Sequence, residues 1–114
     1  MCFPVKREFR DCLKVVTEFF ISRDCPTHFC GYDYAKQMIA IAFSRDGKIS
    51  HMVFDQLYRQ IAAEFETTAR SAYRALGVFV KYTWPLFPEV FKKQPSPKEF
   101  VIRIAELLFL RLQG

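Results

Sequence analysis

The sequence predicts an all-helical fold, a small bundle of five or six helices that contains a helix-turn-helix. Apolar residues recur at helical spacing along most of the 114 residues, while no long alternating run indicates a strand. Residues 57–84 have the layout of two helices joined by a tight connection. A content of 51% hydrophobic and 17% aromatic residues is typical of a densely packed globular protein. We therefore expect a single helical domain over residues 1–114.

The first two helices are predicted over about residues 7–21 and 32–44. Between them Pro26 prevents a continuous helix, and Gly47 suits the left-handed position that closes the second one. Apolar residues in both segments recur every three to four positions. The predicted buried stripes are Phe9, Leu13, Val16 and Phe20 in the first helix, and Ala35, Met38, Ile39, Ala42 and Phe43 in the second.

The third helical stretch is predicted from an N-cap at Ser50 to Phe65, as one helix or as two broken near Leu57. The fourth helix follows and ends at Trp84, because Pro85 stops it. Residues 85–95 are predicted to form a Pro-rich loop or wing.

The last helix is predicted to open at Ser96-Pro97-Lys98-Glu99. Ser96 suits the N-cap, Pro97 the first helical position, and Glu99 the reciprocal position of a capping box.

The helix-turn-helix is predicted from a short apolar helix that ends near Phe65 and a tight connection after it. The small side chain of Ala62 would let the second helix cross close to the first. Glu66 stands where a turn glycine is common, and the Thr67 hydroxyl can cap the second helix.

Positive charge concentrates in the second helix and just beyond it. Residues 67–93 carry five Lys or Arg against Glu89, whereas residues 1–66 carry nine basic and nine acidic residues. At about 100° per residue, Arg70, Arg74, Gly77 and Lys81 share one face, opposite the apolar side chains. A stretch of one sign favours a polyanionic partner, and a solubilising face on a core helix is the alternative.

These segments resemble a known family, the C-terminal DNA-binding effector domain of the master sporulation response regulator (stage-zero sporulation protein A). Gly31-Tyr32-x-Tyr34 is similar to its second-helix opening, and Arg74-Ala75 with Trp84 to its recognition helix. The helix-turn-helix entry Leu57-Tyr58-x-x-Ile61-Ala62-x-x-Phe65-x-Thr67-Thr68-Ala69 and the segment Pro95-x-x-x-Glu99-Phe100 are also similar.

The resemblance implies a cytoplasmic regulator that reads double-stranded DNA through the major groove, often as two copies, and contacts an RNA polymerase sigma factor. Its receiver domain has no counterpart here, so we expect no control by phosphorylation. Helix 68–84 would read DNA, with Arg74 as the main base reader. The expected DNA-binding residues are Thr67, Thr68, Arg70, Ser71, Tyr73, Arg74, Lys81, Lys92 and Lys93.

Other functions find little support in the sequence. No nucleophile–base order, phosphate-binding glycine loop or carboxylate pair suggests an enzyme, and no cofactor is expected. The four cysteines and His28 and His51 lack zinc-ligand spacing, so we interpret the cysteines as free thiols. Neither a signal peptide nor a membrane-spanning run is evident. A protein-interaction or dimerisation module on the same fold is the alternative function, with Phe87, Phe91 or Phe109 exposed as a dimer contact.

Overall fold

The computed structural model describes residues 9–44 and 51–113, with side-chain environments for residues 9–44 and 54–111. Its elements, in chain order, are α1 (Phe9–Ser22), α2 (Cys30–Ser44), α3 (His51–Glu64), α4 (Ala69–Thr83), a 3-10 turn (Trp84–Leu86) and α5 (Pro97–Gln113). These ranges contain no strand, so the predicted helical bundle is confirmed, and α3 is one helix. The predicted helix ends at Gly47 and Ser50 lie outside the described residues, as does the side chain of His51.

α2 is the central helix, and it packs against α1, α4 and α5. Every residue from Met38 to Phe43 is buried, including Ala40 and Ile41, which the one-sided stripe did not contain. A helix that is apolar all round is stable only when neighbours surround it. The other helices therefore form a shell around α2.

An aromatic cluster joins four helices at the middle of the core. The ring of Phe79 in α4 lies 5.8 Å from Phe20 of α1, 6.0 Å from Tyr32 of α2 and 6.2 Å from Phe100 of α5, between centroids. Such tilted and edge-on pairs add about 0.5–1.5 kcal/mol each beyond the burial of their area. This cluster fixes the position of α4 against the rest of the bundle.

Two helices end in the same left-handed motif, although neither uses glycine. Asp24 after α1 has a φ of 55° and Glu66 after α3 has a φ of 53°. After α3 the amide of Thr67 donates to the carbonyl of Ala62 at 2.8 Å, and the amide of Glu66 donates to that of Ala63 at 3.4 Å. This pair of bonds is the Schellman arrangement, which satisfies the last carbonyls of the helix and turns the chain sharply.

The segment between the 3-10 turn and α5 is a loop, as the sequence predicts, and it packs onto the bundle. Phe87 and Phe91 are buried, and Phe91 stacks on Phe100 with ring centroids 5.5 Å apart. Phe109 is half-buried and packs against the core. The prediction of an exposed dimer contact is therefore wrong for Phe87 and Phe91, which the bundle itself covers, and for the half-buried Phe109 it stays a prediction.

The start of α5 follows the prediction. The helix begins at Pro97, and the Ser96 hydroxyl accepts a hydrogen bond from the amide of Glu99 at 3.1 Å. Ser96 is thus the N-cap that the sequence indicated. Within the ranges that the structure describes, α5 and the other helices fall short of the length and apolar character that crossing a membrane requires.

Candidate nucleic-acid interface

α3, the connection 65–68 and α4 form the predicted helix-turn-helix, and α3 packs against α4. The cap of α4 is Thr68 and not Thr67, which corrects the sequence prediction. The Thr68 hydroxyl accepts from the amide of Ser71 at 3.0 Å and donates to the Ser71 hydroxyl at 3.0 Å. Thr67 precedes the cap position, and its backbone amide donates to the carbonyl of Ala62 at the end of α3.

One face of α4 anchors the helix in the bundle. Leu76, Phe79 and Val80 are almost fully buried, together with the small side chains of Ala72 and Thr83. The Thr83 hydroxyl donates to the carbonyl of Phe79 at 2.7 Å, so its one buried polar atom is satisfied. The apolar side predicted from the wheel is confirmed, and it holds α4 rigidly.

The opposite face carries the cationic stripe, by which we mean Arg70, Arg74 and Lys81. All three side chains are exposed, and the helical repeat places them within an arc of about 40°. In the part of the chain that the structure describes, no ion pair joins them to a carboxylate. The Lys81 ammonium lies 5.7 Å from the centroid of the Tyr82 ring. The stripe therefore presents uncompensated positive charge to solvent.

Glu89, the one acidic residue of segment 67–93, is engaged elsewhere. Its carboxylate forms a bidentate, hydrogen-bonded ion pair with the guanidinium group of Arg23. A guanidinium nitrogen of Arg111 lies 3.4 Å from one of the carboxylate oxygens. Hydrogen bonds from Arg23 lower the pKa of Glu89 to about 2. The arginine also donates to the carbonyl of Leu86 at 2.9 Å. This carboxylate is thus held by Arg23, which directly follows α1, and by Arg111 of α5, and it does not neutralise the cationic stripe.

The remaining predicted DNA-binding residues differ in their surroundings. Tyr73 is exposed on α4, with its ring 5.5 Å from that of Tyr58 on α3. Ser71 is exposed as well, but its hydroxyl takes part in the cap of α4. Lys92 and Lys93 are exposed on the connection between the 3-10 turn and α5, away from α4 in the chain.

A shallow groove of about 390 Å³ runs between α3 and the start of α4. Asp55, Tyr58 and Arg59 contribute from α3, and Ala69, Arg70 and Tyr73 from α4. Tyr58 is only 9% exposed, and its buried hydroxyl has no hydrogen-bond partner among the residues that the structure describes. Burial raises the pKa of this phenol, so the hydroxyl keeps its proton at neutral pH.

Comparison with protein-family models identifies one family, described as "Sporulation initiation factor Spo0A C terminal", over residues 16–87. That match spans more than half of the chain. The chain belongs to the Spo0A C-terminal family. A comparison with curated proteins found no match.

The Spo0A C-terminal family comprises the DNA-binding effector domains of sporulation regulators, so the resemblance inferred from the sequence is confirmed. The matched residues run from α1 through the 3-10 turn and include the whole helix-turn-helix. Regulation of transcription through DNA is therefore the function of the family to which this domain belongs.

Sequence reasoning on this Spo0A-type domain missed Arg59 and gave Tyr58 no role. Arg59 belongs to segment 1–66, which has equal numbers of basic and acidic residues, so the net charge of that segment gave no indication of a basic site. A signal was available, because Arg59 is the last basic residue before Arg70 and lies on the first helix of the predicted helix-turn-helix. Only the packing of α3 on α4 makes Arg59 and Arg70 line the same groove.

Proposed function

We propose that this domain is a sequence-specific transcription regulator that reads the major groove of double-stranded DNA with α4. The observation that carries the proposal is the cationic stripe, which lies opposite the buried face of α4 and meets no carboxylate within the described ranges. A major groove about 12 Å wide admits one α-helix, and guanidinium groups reach base edges from it.

The roles of the individual residues follow from their positions on α4. Arg74, in the middle of the stripe, reads a base edge, since a guanidinium group can donate two hydrogen bonds to one guanine. Arg70 and Tyr73 flank it toward the start of the helix. Lys81 holds a phosphate, as do Lys92 and Lys93 from the following connection. The N-terminus of α4, which follows Thr67 and Thr68, suits one more phosphate through the amides of its first turn.

A second candidate is a protein-binding surface on the same helix. Tyr73, Val78 and Tyr82 are large, exposed apolar side chains on either side of the cationic stripe. Aromatic residues next to Arg are common at protein interfaces. Contact with a sigma factor and pairing of two copies, which the resemblance implies, stay predictions.

The deciding experiment is selection of bound sequences from a random DNA pool, followed by titration of the selected site at two salt concentrations. Arg74→Ala should weaken binding by about 1–3 kcal/mol and relax the selected sequence at one position. Lys81→Ala should weaken binding to every sequence alike and lower the salt dependence by about one phosphate contact.

Lys14→Ala provides the matched control, because Lys14 is an exposed lysine on α1, which packs against α2. It removes one positive charge without touching the helix-turn-helix. The DNA-reading proposal is wrong if the pool yields no preferred sequence and Arg74→Ala and Lys81→Ala bind DNA as the wild type and Lys14→Ala do. The protein-binding surface is then the better explanation of α4.

A further inference from the structure

We propose that the groove between α3 and α4 is a phosphate site, in which Arg59, Arg70 and the Tyr58 hydroxyl hold one phosphodiester of the DNA backbone. The proposal rests on the DNA-binding function proposed above and adds α3 to the surface that contacts DNA. Neither Arg59 nor Tyr58 belongs to the set of residues expected to bind DNA from the sequence.

The first argument is the buried hydroxyl of Tyr58, for which the described part of the chain offers no hydrogen-bond partner. A buried polar group without a partner is costly, and in folded proteins nearly all such groups have one. The Tyr58 ring is buried and packs edge-on against the buried ring of Phe54, with centroids 5.3 Å apart, so the hydroxyl has a defined position. As a protonated phenol it donates one hydrogen bond, which a phosphate oxygen accepts.

The second argument is the pair of guanidinium groups at the same groove. Arg59 from α3 and Arg70 from α4 are exposed, and neither forms an ion pair with a carboxylate in the described ranges. Guanidinium groups match the oxygens of a phosphate in geometry and charge. Two such groups converging from different helices favour a bound anion over a neutral ligand.

Of the described residues that line the groove, Asp55 is the only acidic one. It stands one helical turn before Arg59 on α3, yet no ion pair of 4.0 Å or less joins them. The two arginines outweigh this single carboxylate, so the groove retains positive charge. Asp55 nevertheless opposes an anion, and its removal should strengthen binding.

Access to the Tyr58 hydroxyl requires one local movement. The Tyr73 ring lies edge-on to Tyr58 and is itself 53% exposed, so it has room to rotate. Exposed side chains change rotamer within picoseconds to nanoseconds. On this proposal, rotation of the Tyr73 ring away from Tyr58 opens the phenol to the phosphate that Arg59 and Arg70 hold.

The test is a titration of the selected DNA site with Arg59→Ala and Tyr58→Phe over a range of salt concentrations. Arg59→Ala should weaken binding and lower the slope of log K against log salt by about one phosphate contact. Tyr58→Phe should weaken binding about tenfold at all salt concentrations with an unchanged slope, because it removes a neutral donor. Asp55→Asn should bind a few-fold more tightly.

Two controls separate these effects from a change in folding. Tyr32→Phe removes the hydroxyl of another buried tyrosine, which packs against Phe20 and Phe79 and lies outside the groove. Lys14→Ala removes a charge from α1. Both should bind DNA as the wild type does, and Tyr58→Phe should unfold at no lower temperature than wild type, since it deletes an unsatisfied group.

The outcomes distinguish this proposal from the function on which it rests. If Arg74→Ala weakens DNA binding while Arg59→Ala and Tyr58→Phe bind as the wild type does, the phosphate site is wrong and the DNA reading stands. If the wild type binds no DNA, both the phosphate site and the proposed DNA-binding function are wrong. Inorganic phosphate or pyrophosphate is the remaining probe. Stabilisation by millimolar phosphate that Tyr58→Phe abolishes, with unchanged DNA binding, would assign the groove to a free anion and overturn the proposal.

Discussion

Gly31, in the first turn of α2, lies directly against the backbone carbonyl of Ala75 in α4. A Cβ atom at Gly31 would clash with that carbonyl oxygen and would lie 2.6 Å from the Cβ of Phe79. The absence of a side chain at this one position lets the central helix touch the backbone of the helix that carries the cationic stripe. The position of the candidate interface thus depends on a residue that is far from it in sequence.

Gly31→Ala should lower the free energy of unfolding by about 2 kcal/mol, because helix backbone must shift to admit the methyl group. Urea denaturation followed by circular dichroism measures the change. Gly77→Ala is the matched control, since the nearest atom to its added Cβ is Pro97 Cγ at 4.0 Å. Equal stability of the two variants would contradict the close crossing of α2 and α4.

Glu66→Gly should raise the free energy of unfolding by about 1 kcal/mol. Glu66 has a φ of 53°, a left-handed conformation that glycine adopts without the steric cost of a Cβ atom. Glu66→Ala is the control, because it removes the same carboxylate and keeps the Cβ. Thermal denaturation of both variants checks the result, and a gain in the alanine variant equal to that in glycine would point to charge instead of backbone strain.

Thr68→Ala should destabilise the protein by about 1 kcal/mol, the usual cost of losing an N-cap hydroxyl. The Thr68 hydroxyl accepts the amide of Ser71, whereas Thr67 contributes its backbone amide to the end of α3. Thr67→Ala retains that amide and should cost less. Urea denaturation of the two variants tests the assignment, which reverses if Thr67→Ala is the more damaging change.

The sequence predicted α4 more completely than any other element, and the reason is physical. α4 is half buried, so its apolar and charged residues separate onto two faces that a helical wheel resolves. The adjacent threonines 67 and 68 both have the right hydroxyl, and composition alone does not choose between them. Which threonine caps α4 depends on the Schellman turn at Glu66, because its hydrogen bonds use the amide of Thr67 and leave Thr68 as the residue before α4. That turn is a property of the folded backbone.

Other features depend on neighbours that no local pattern contains. The burial of Ala40 and Ile41 arises because helices surround α2 on all sides. Phe87 and Phe91 stand in a Pro-rich segment without periodicity, so nothing in the sequence indicated that they pack on Phe100. The groove at Arg59 required the packing of α3 on α4.

Glu89→Gln should destabilise the protein by about 1 kcal/mol at pH 7, an upper value for an exposed pair, because it breaks the bridge to Arg23 and Arg111. The pKa of Glu89 is lowered to about 2, so its contribution is present above the pKa of the unfolded chain and is lost as the pH falls toward 2. Urea denaturation at pH 7, 5 and 3.5 should show the difference from wild type shrinking below pH 5. Glu106→Gln is the matched control for the loss of one carboxylate, because Glu106 is exposed on α5 and forms no ion pair in the described ranges.

Gly77→Ala should separate stability from DNA binding. Glycine in the middle of α4 costs about 1 kcal/mol relative to alanine, and the 4.0 Å distance to Pro97 Cγ shows that the fold has room for a methyl group. The variant should therefore unfold at a higher urea concentration. Gly77 lies on the same face as Arg70, Arg74 and Lys81. On the DNA-reading proposal, the added methyl group therefore prevents close contact between the backbone of α4 and the DNA, and it weakens binding several-fold.

Val78→Ala is the control. Val78 is exposed outside the cationic stripe, and its replacement by alanine also favours the helix, but it should leave DNA binding unchanged. A Gly77→Ala variant that is more stable and binds the selected DNA as tightly as wild type would show that the backbone of α4 does not approach the groove at this turn.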